Sequence, residues 1–223
     1  MCGRYTLSVP AETIAEHFGL EAVPDLAPRF NIAPTQAAPV VRWSPAAEAP
    51  ALAFLRWGLV PAWAKDAAGA GRLINARAET AADKPSFRAA LRRRRCLVPA
   101  DGFYEWRAEG GAKQPYHITR PDHAPFAFAG LWERWSRGAE PLETFTILTT
   151  DANAALRPLH DRMPVILDPA DYDLWLDPAA TDPALVEPLL RSLPDDALTF
   201  VAVGRAVNTV GHDDPSLIVP RGA

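Results

Sequence analysis

The amino-acid sequence predicts an α+β fold: a mostly antiparallel, barrel-like sheet with short helices at its periphery. Two observations carry that expectation. Apolar segments of strand length recur along the chain with turn residues between them. One pair, Phe103 to Arg107 and Gln114 to Thr119, flanks the hairpin signal Glu109-Gly110-Gly111. The helical patterns are short and mixed among the strands. No internal repeat or low-complexity linker divides the 223 residues, which predicts a single domain over 1–223 ending in a turn-rich tail from about 211 to 223.

In chain order, residues 1–8 open with Met1-Cys2-Gly3-Arg4 and continue with alternating apolar positions, a short strand. Pro10 to Phe18 has helical spacing, with Ile14 and Phe18 on one face and Gly19 as its stop. The Pro- and Ala-rich stretch 21–37 reads as an ordered loop anchored by Phe30 and Ile32. Strands are expected at 38–43 and 51–57 about a turn at Ser44-Pro45. Trp57 to Trp63 carries two tryptophans on a segment that Gly58 and Pro61 keep irregular, and the small-residue tract 64–71 is expected to be a mobile loop. If residues 73–80 are extended, Asn75, Arg77 and Glu79 share one face. Ser86 to Arg93 reads as a helix, and Arg92–Arg95 as its solvated end, favourable beside the C-terminal dipole. A buried strand at 96–100 precedes the hairpin, and strands at 125–132, 144–150 and 163–167 follow it. Short helices at 153–158, 170–176 and 183–192 and a last strand at 198–203 complete the expectation.

A composition of 48% hydrophobic and 22% charged residues is that of a globular protein. No apolar run approaches the ~20 residues that span a bilayer, so no membrane partner is expected. The start lacks the basic region and apolar core of a signal peptide, which predicts a cytoplasmic location. Cys2 and Cys96 are the two cysteines, with no CxxC pair, which argues against a disulfide framework or zinc cluster; no metal or cofactor is expected. A net charge of −4 argues against a protein that coats nucleic acid indiscriminately. Of the 23 basic residues, 20 are arginine, the side chain suited to bidentate phosphate recognition, so a local basic site fits within an acidic total.

The position of Cys2 gives it unusual chemistry. Removal of Met1, which a small second residue permits, leaves one residue with a free amine of pKa about 7.7–8.0 beside a thiol of about 8.5. Such a 1,2-aminothiol attacks a carbonyl twice, through nitrogen and then sulfur. The alternative is an ordinary early cysteine. Glu105 lies between Tyr104 and Trp106, and a carboxylate among aromatics suits a general acid; it equally fits an outward-facing strand glutamate. His160, in Leu159-His160-Asp161-Arg162-Met163-Pro164, sits between an expected helix and strand, where loops often carry function. Asn75 beside Arg77 could orient an amine and bind phosphate, or close a turn.

Six motifs, in order, resemble the SRAP family, the SOS-response-associated peptidases or abasic-site-processing proteins. They are Met1-Cys2-Gly3-Arg4-Tyr5, Arg29-Phe30-Asn31-Ile32-Ala33-Pro34-Thr35-Gln36, Trp57-Gly58-Leu59-Val60-Pro61, Ile74-Asn75-Ala76-Arg77-Ala78-Glu79-Thr80, Ala100-Asp101-Gly102-Phe103-Tyr104-Glu105-Trp106 and the His160 segment. The resemblance runs from residue 1 to about 210 and implies the SRAP fold. The resemblance implies recognition of abasic sites in single-stranded DNA, including sites at replication junctions, and a covalent link to the ring-opened sugar. It also implies association with the nucleoid when the protein is on DNA. Cys2 would be the nucleophile, Asn75 would hold its amine, Glu105 would serve as acid and base, and His160 would contact the sugar. Arg4, Arg77 and Arg162 would hold flanking phosphates, with Asn31, Trp63 and Trp106 also on the DNA. Where some relatives have a second aromatic after the residue matching Trp63, this chain departs from the pattern with Ala64 and a small-residue loop.

Two other activities start from the same cysteine. An N-terminal-nucleophile amidohydrolase would use the Cys2 thiol with its own amine as base, making a thioester. A cysteine peptidase would pair Cys2 with His160, and could remove Met1 itself; a strand-cleaving lyase reaction could accompany the DNA chemistry.

Overall fold

The computed structural model describes residues 2–21, 23–69 and 71–222. The expected removal of Met1 therefore falls outside the described residues.

Strand β1 (Tyr5–Leu7) runs into helix α1 (Ala11–Phe18), which buries Ile14 and Phe18 and stops at Gly19. Residues 29–32, expected within a loop, form strand β2 (Arg29–Ile32), because they pair with β1. A hairpin of β3 (Ala37–Ser44) and β4 (Ala49–Trp57) follows, then the short β5 (Asn75–Arg77) and α2 (Ala78–Ala81). Residues 73–80 are thus not one extended segment, and Glu79 turns onto a helix where it bonds Arg162. Of the tract expected to be mobile, Ala70 lies outside the described residues.

Helix α3 (Arg88–Arg93) leads into β6 (Arg95–Ala100). The arginine run is only half solvated. Arg92 and Arg93 are exposed, but Arg94 pairs with Glu133 and Arg95 is buried, donating to the carbonyls of Leu91, Arg92, Trp175 and Asp177. Five-donor guanidinium geometry makes such burial possible where an ammonium would leave carbonyls unmet.

Strands β7 (Gly102–Glu109) and β8 (Ala112–Thr119) form the expected hairpin. Gly110 and Gly111 adopt φ of 54° and 80°, the left-handed pair that a two-residue hairpin turn requires. Long strands β9 (Phe126–Trp135) and β10 (Leu142–Asp151) come next, then β11 (Arg162–Pro164) and β12 (Ile166–Leu167). Residues 153–158, expected to be helical, stop at turns: Asn153 and Asp195 cap the N–H groups of Ala154, Ala155 and Leu156, and Arg157 N–H reaches the Asn153 carbonyl, but Pro158 has no N–H to continue the ladder. Helices α4 (Tyr172–Leu176) and α5 (Pro183–Val186) are short, and β13 (Thr199–Ala202) is the last strand.

Two sheets make one α+β domain. In the larger, β10, β4, β3, β6 and β9 pair in succession and β9 pairs back to β10, closing a five-stranded barrel. Its pairings are antiparallel apart from β10 with β4 and with β5. The smaller sheet is antiparallel in the order β13-β8-β7-β1-β2. Its inner face meets the barrel through aromatic contacts: Tyr5 packs edge-on to Trp57 at 5.3 Å and to Phe128 at 5.8 Å, and Phe103 meets Phe128 at 5.9 Å. Each such pair adds about 0.5–1.5 kcal/mol beyond burial. The outer face carries Tyr104, which packs with Val203, Val207 and Leu217 from the C-terminal segment. The tail is therefore part of the fold: Val203 bridges to Pro220, and Asp213 accepts from the backbone N–H of Phe30 and Asn31.

Candidate active site

Cys2 is fully buried in the main core, and its Sγ donates to the Arg4 carbonyl at 3.9 Å. Burial, and after it the nearby Glu105 carboxylate, push the thiol well above its ordinary range, so it is protonated at neutral pH. Cys2 and Glu105 are thus brought together. Antiparallel pairing accounts for it: Tyr5 opposes Phe103, which sets the start of the chain beside the first half of β7. Period-two alternation then puts Phe103, Glu105 and Arg107 on one face of β7 and Tyr104 and Trp106 on the other. Glu105 is only 3% exposed, so the outward-facing reading fails.

Strand β10 assembles a second group. Its Ile147 and Thr149 lie opposite Asn75 and Arg77, and its Asp151 lies opposite Arg162. Asn75 Nδ2 reaches the Ile147 carbonyl at 3.5 Å, while its Oδ1 is buried with no hydrogen-bond partner among the described residues. An orphaned acceptor of that kind is an energetic cost unless something arrives to donate to it. Arg77 is exposed, and its guanidinium makes no hydrogen bond among the described residues. Arg162 is the opposite case. It forks onto both Glu79 oxygens at 2.8 Å and also donates to Asp151 at 2.6 Å and to the Thr149 carbonyl. This guanidinium holds the Glu79 carboxyl below the usual carboxylate range. His160 Nδ1 lies 2.9 Å from the Arg162 backbone nitrogen and 2.7 Å from Asp161 Oδ1. The neutral ring accepts from the first and the imidazolium donates to the second, so both protonation states have a partner.

The two groups are joined by one indole. Trp57, in edge contact with Tyr5, donates from Nε1 to the carbonyl of Ile74, the residue before Asn75.

Arg4, Asn31 and Trp106 form a third group beside the C-terminal segment. Arg4 Nη1 donates to Asn31 Oδ1 and to the Val207 carbonyl, and its burial lowers the guanidinium's proton affinity. Asn31 is fully buried, and its Nδ2 serves the carbonyls of Val207, Thr209 and His212. Trp106 Nε1 donates to Asn208 Oδ1. Trp63 stands apart on the surface, 57% exposed, with Nε1 near the Pro85 carbonyl at 3.3 Å.

Comparison with known proteins decides the family. The profile of the SOS response associated peptidase (SRAP) family matches residues 1–210. The chain belongs to the SRAP family. It is 41% identical to the abasic site processing protein YoqW of Bacillus subtilis, over 98% of this chain and 99% of that one. It is 34% identical to the abasic site processing protein HMCES of Gallus gallus, over 86% of this chain and 66% of the relative. A crystal structure of a Bacteroides thetaiotaomicron protein superposes with a TM-score of 0.84 at 29% identity, covering 97% of this chain and 98% of the other. A phage-related protein from Bordetella bronchiseptica gives 0.73 at 37% identity, covering 91% and 94%.

This SRAP chain also contains supporting residues that motif reading passed over. Asp101 is buried and accepts from Thr6 Oγ1, Ser8 N–H, Ser8 Oγ and Val9 N–H, fixing where β1 ends. His117 lies 3.3 Å from Thr6 Oγ1 and is held neutral, its pKa lowered to about 4 by burial. A Cβ on Gly102 would overlap His117 Nε2, so glycine leaves the space that the His117 ring occupies. Asp101 and Gly102 stand in the same motif as Glu105, which is the signal that could have drawn attention to them. Of the two carboxylates that accept from Arg162, Glu79 lies in a motif, but Asp151 carries no such signal: it lies 11 residues before its partner and outside every motif. Among the described residues, no group of three or more His, Cys, Asp or Glu side chains is placed to hold a metal ion.

Proposed function

We propose that this chain processes abasic sites in single-stranded DNA by closing a thiazolidine between Cys2 and the ring-opened sugar. The observation that carries the reading is the pairing of a buried, protonated Cys2 thiol with the Glu105 carboxylate at the start of a chain whose relatives are named abasic site processing proteins. Hydrolytic loss of Met1 frees the Cys2 amine. Its neutral form adds to C1′ of the aldehyde to give a carbinolamine. A proton delivered through Glu105 lets the hydroxyl leave as water, giving an imine. The thiol then adds across the C=N bond: sulfur bonds C1′, and its proton passes through Glu105 to nitrogen. One water is released overall. Because the second attack is intramolecular, its effective molarity is high. The closed ring also removes the imine that would acidify C2′ and lead to strand scission, so the product shields the lesion.

The remaining residues take roles that suit their surroundings. The orphaned Asn75 Oδ1 accepts from the Cys2 amine and aims its lone pair. His160, with a partner in either protonation state, assists sugar ring opening. Arg77 is available to take a flanking phosphate, and Arg4 has donors left beyond Nη1. Arg162 reaches a phosphate by releasing Asp151, whose carboxylate is 82% exposed. Exposed Trp63 offers a face for base stacking, worth ~1–3 kcal/mol per base. Asn31 and Trp106 act through the C-terminal wall that they hold. A peptidase dyad is less well supported, since Cys2 and His160 share no hydrogen bond among the described residues.

The test is incubation with a single-stranded oligonucleotide bearing one abasic site, then denaturing electrophoresis and mass spectrometry. The expected product is a heat-stable adduct equal in mass to the Met1-less protein plus DNA minus one water. Heat-stable crosslinking by Cys2→Ser, or release of ammonia from glutamine with no adduct, overturns the proposal.

A further inference from the structure

Beyond Glu105, the same face of the β7–β8 hairpin carries a built cationic surface that the mechanism above does not use. Tyr116 on β8 lies directly opposite Glu105, and Arg107 is the next residue along β7 to point the same way, about 7 Å further on. The three side chains therefore form one strip that starts at the reaction centre. Arg107 is oriented by its neighbours: its guanidinium lies 4.8 Å over the Tyr116 ring, bonds the Tyr116 hydroxyl and pairs with Glu109. Tyr116 in turn donates to Glu109. Orienting an arginine in this way removes part of the side-chain entropy that phosphate binding would otherwise cost.

The strip continues into further positive charge. Gln114 lies opposite Arg107 and accepts from Arg221 Nη1 at 2.6 Å. Arg221 also acts electrostatically on Glu109. Gln114, Arg205 and Arg221 line a surface cavity of about 270 Å³ where β8 meets the residues after β13. Arg205 and Arg221 are exposed, and among the described residues neither is paired with a carboxylate by a salt bridge. Around Gln114, three arginines thus face one glutamate, on a protein whose net charge is −4. Arg77 and Arg162 belong to a different sheet, on strands paired with β10.

We propose that Arg107, Arg221 and Arg205 bind the phosphodiester backbone on one side of the lesion, so that DNA leaving Cys2 on that side runs along the β7–β8 hairpin. The inference rests on the single-stranded DNA reading given above. It makes binding asymmetric: one flank of the strand engages the hairpin arginines, the other engages Arg77.

Fluorescence anisotropy with oligonucleotides carrying a tetrahydrofuran abasic analogue tests this, since that sugar has no aldehyde and reports binding without crosslinking. Three probes carry flanking nucleotides on both sides, only 5′, or only 3′ of the analogue. Arg107→Ala combined with Arg221→Ala should weaken binding roughly tenfold for the two-sided probe and for just one of the one-sided probes. The dependence of log affinity on log salt for those probes should become shallower by about 1.4, near 0.7 for each single-strand phosphate that is no longer neutralised. Arg120→Ala, at the opposite end of β8 from the hairpin turn, should change neither. Equal weakening with both one-sided probes, equal weakening by Arg120→Ala, or an unchanged salt slope in the double variant overturns the proposal. A wild-type protein that binds none of the probes overturns the DNA reading along with it; wild-type binding with an unaffected double variant overturns the flank site alone.

Discussion

Replacing Asn31 with alanine separates a residue that touches DNA from one that builds the wall beside it. The side chain is fully buried, with Oδ1 accepting from Arg4 Nη1 at 3.0 Å and Nδ2 facing three carbonyls at 2.7, 3.1 and 3.2 Å. An amide nitrogen has two hydrogens, so two of the three carbonyls are served at any instant and three hydrogen bonds are removed in all. Water can replace the amide at half-exposed Arg4, and Val207 O keeps the Arg4 bond. The lasting cost comes from the two remaining carbonyls, at ~1–2 kcal/mol each, giving ~2–4 kcal/mol. For a chain of this length, that corresponds to a fall in Tm of roughly 5–15 °C, read by circular dichroism. Asn31→Asp should cost at least as much, because it sets a carboxylate against three carbonyl oxygens. Were Asn31 a direct DNA ligand instead, alanine would leave Tm within about 2 °C of wild type while weakening anisotropy-measured binding, and that result would refute the reasoning.

Three further outcomes are expected. Glu105→Gln removes the proton carrier, so the single-turnover rate of adduct formation should fall ~10²–10⁴-fold; a rate equal to wild type counts against the pairing of Cys2 with Glu105. His117 is held neutral with a pKa of about 4 against 6.5 unfolded. Its contribution to stability is therefore complete above about pH 6.5 and is lost as pH falls toward 4, by ~3 kcal/mol in all. Denaturant midpoints measured between pH 7 and 4 should flatten in His117→Gln, and an identical slope in the variant contradicts the burial account. Arg162→Lys cannot reproduce the fork onto Glu79, whose carboxylate is partly exposed, and should lower stability by ~1 kcal/mol; retention of wild-type stability in urea unfolding would show that the fork is dispensable.

Local signals served well wherever one stretch of chain decides its own shape. Gly110-Gly111 dictates a two-residue turn because two consecutive residues must take positive φ, and the alternation in the flanking strands needed only that turn to become a hairpin. The spacing of Ile14 and Phe18 similarly specified α1. Cys2, Glu105, Asn75 and His160 were legible as candidates because each combines an unusual residue type with a recognisable motif. Two misreadings have different causes. Residues 153–158 make one helical bond, Arg157 N–H to the Asn153 carbonyl, and cannot add the next because Pro158 has no N–H. Arg95 is buried because carbonyls at the end of α4, some 80 residues on, are there to receive it.

By itself, then, the sequence determined the antiparallel strands, the main turns, the chemistry available at Cys2 and the family to which the chain belongs. Only the tertiary structure decided how the arginines divide. Arg77 is left open to solvent, whereas Arg162 is forked onto a glutamate 83 residues away and Arg4 is tied to a carbonyl 203 residues away. The physical reason is that a guanidinium reads alike in every local window, and whether it is spent on the fold or kept for a ligand depends on which acceptors distant strand pairing brings within reach.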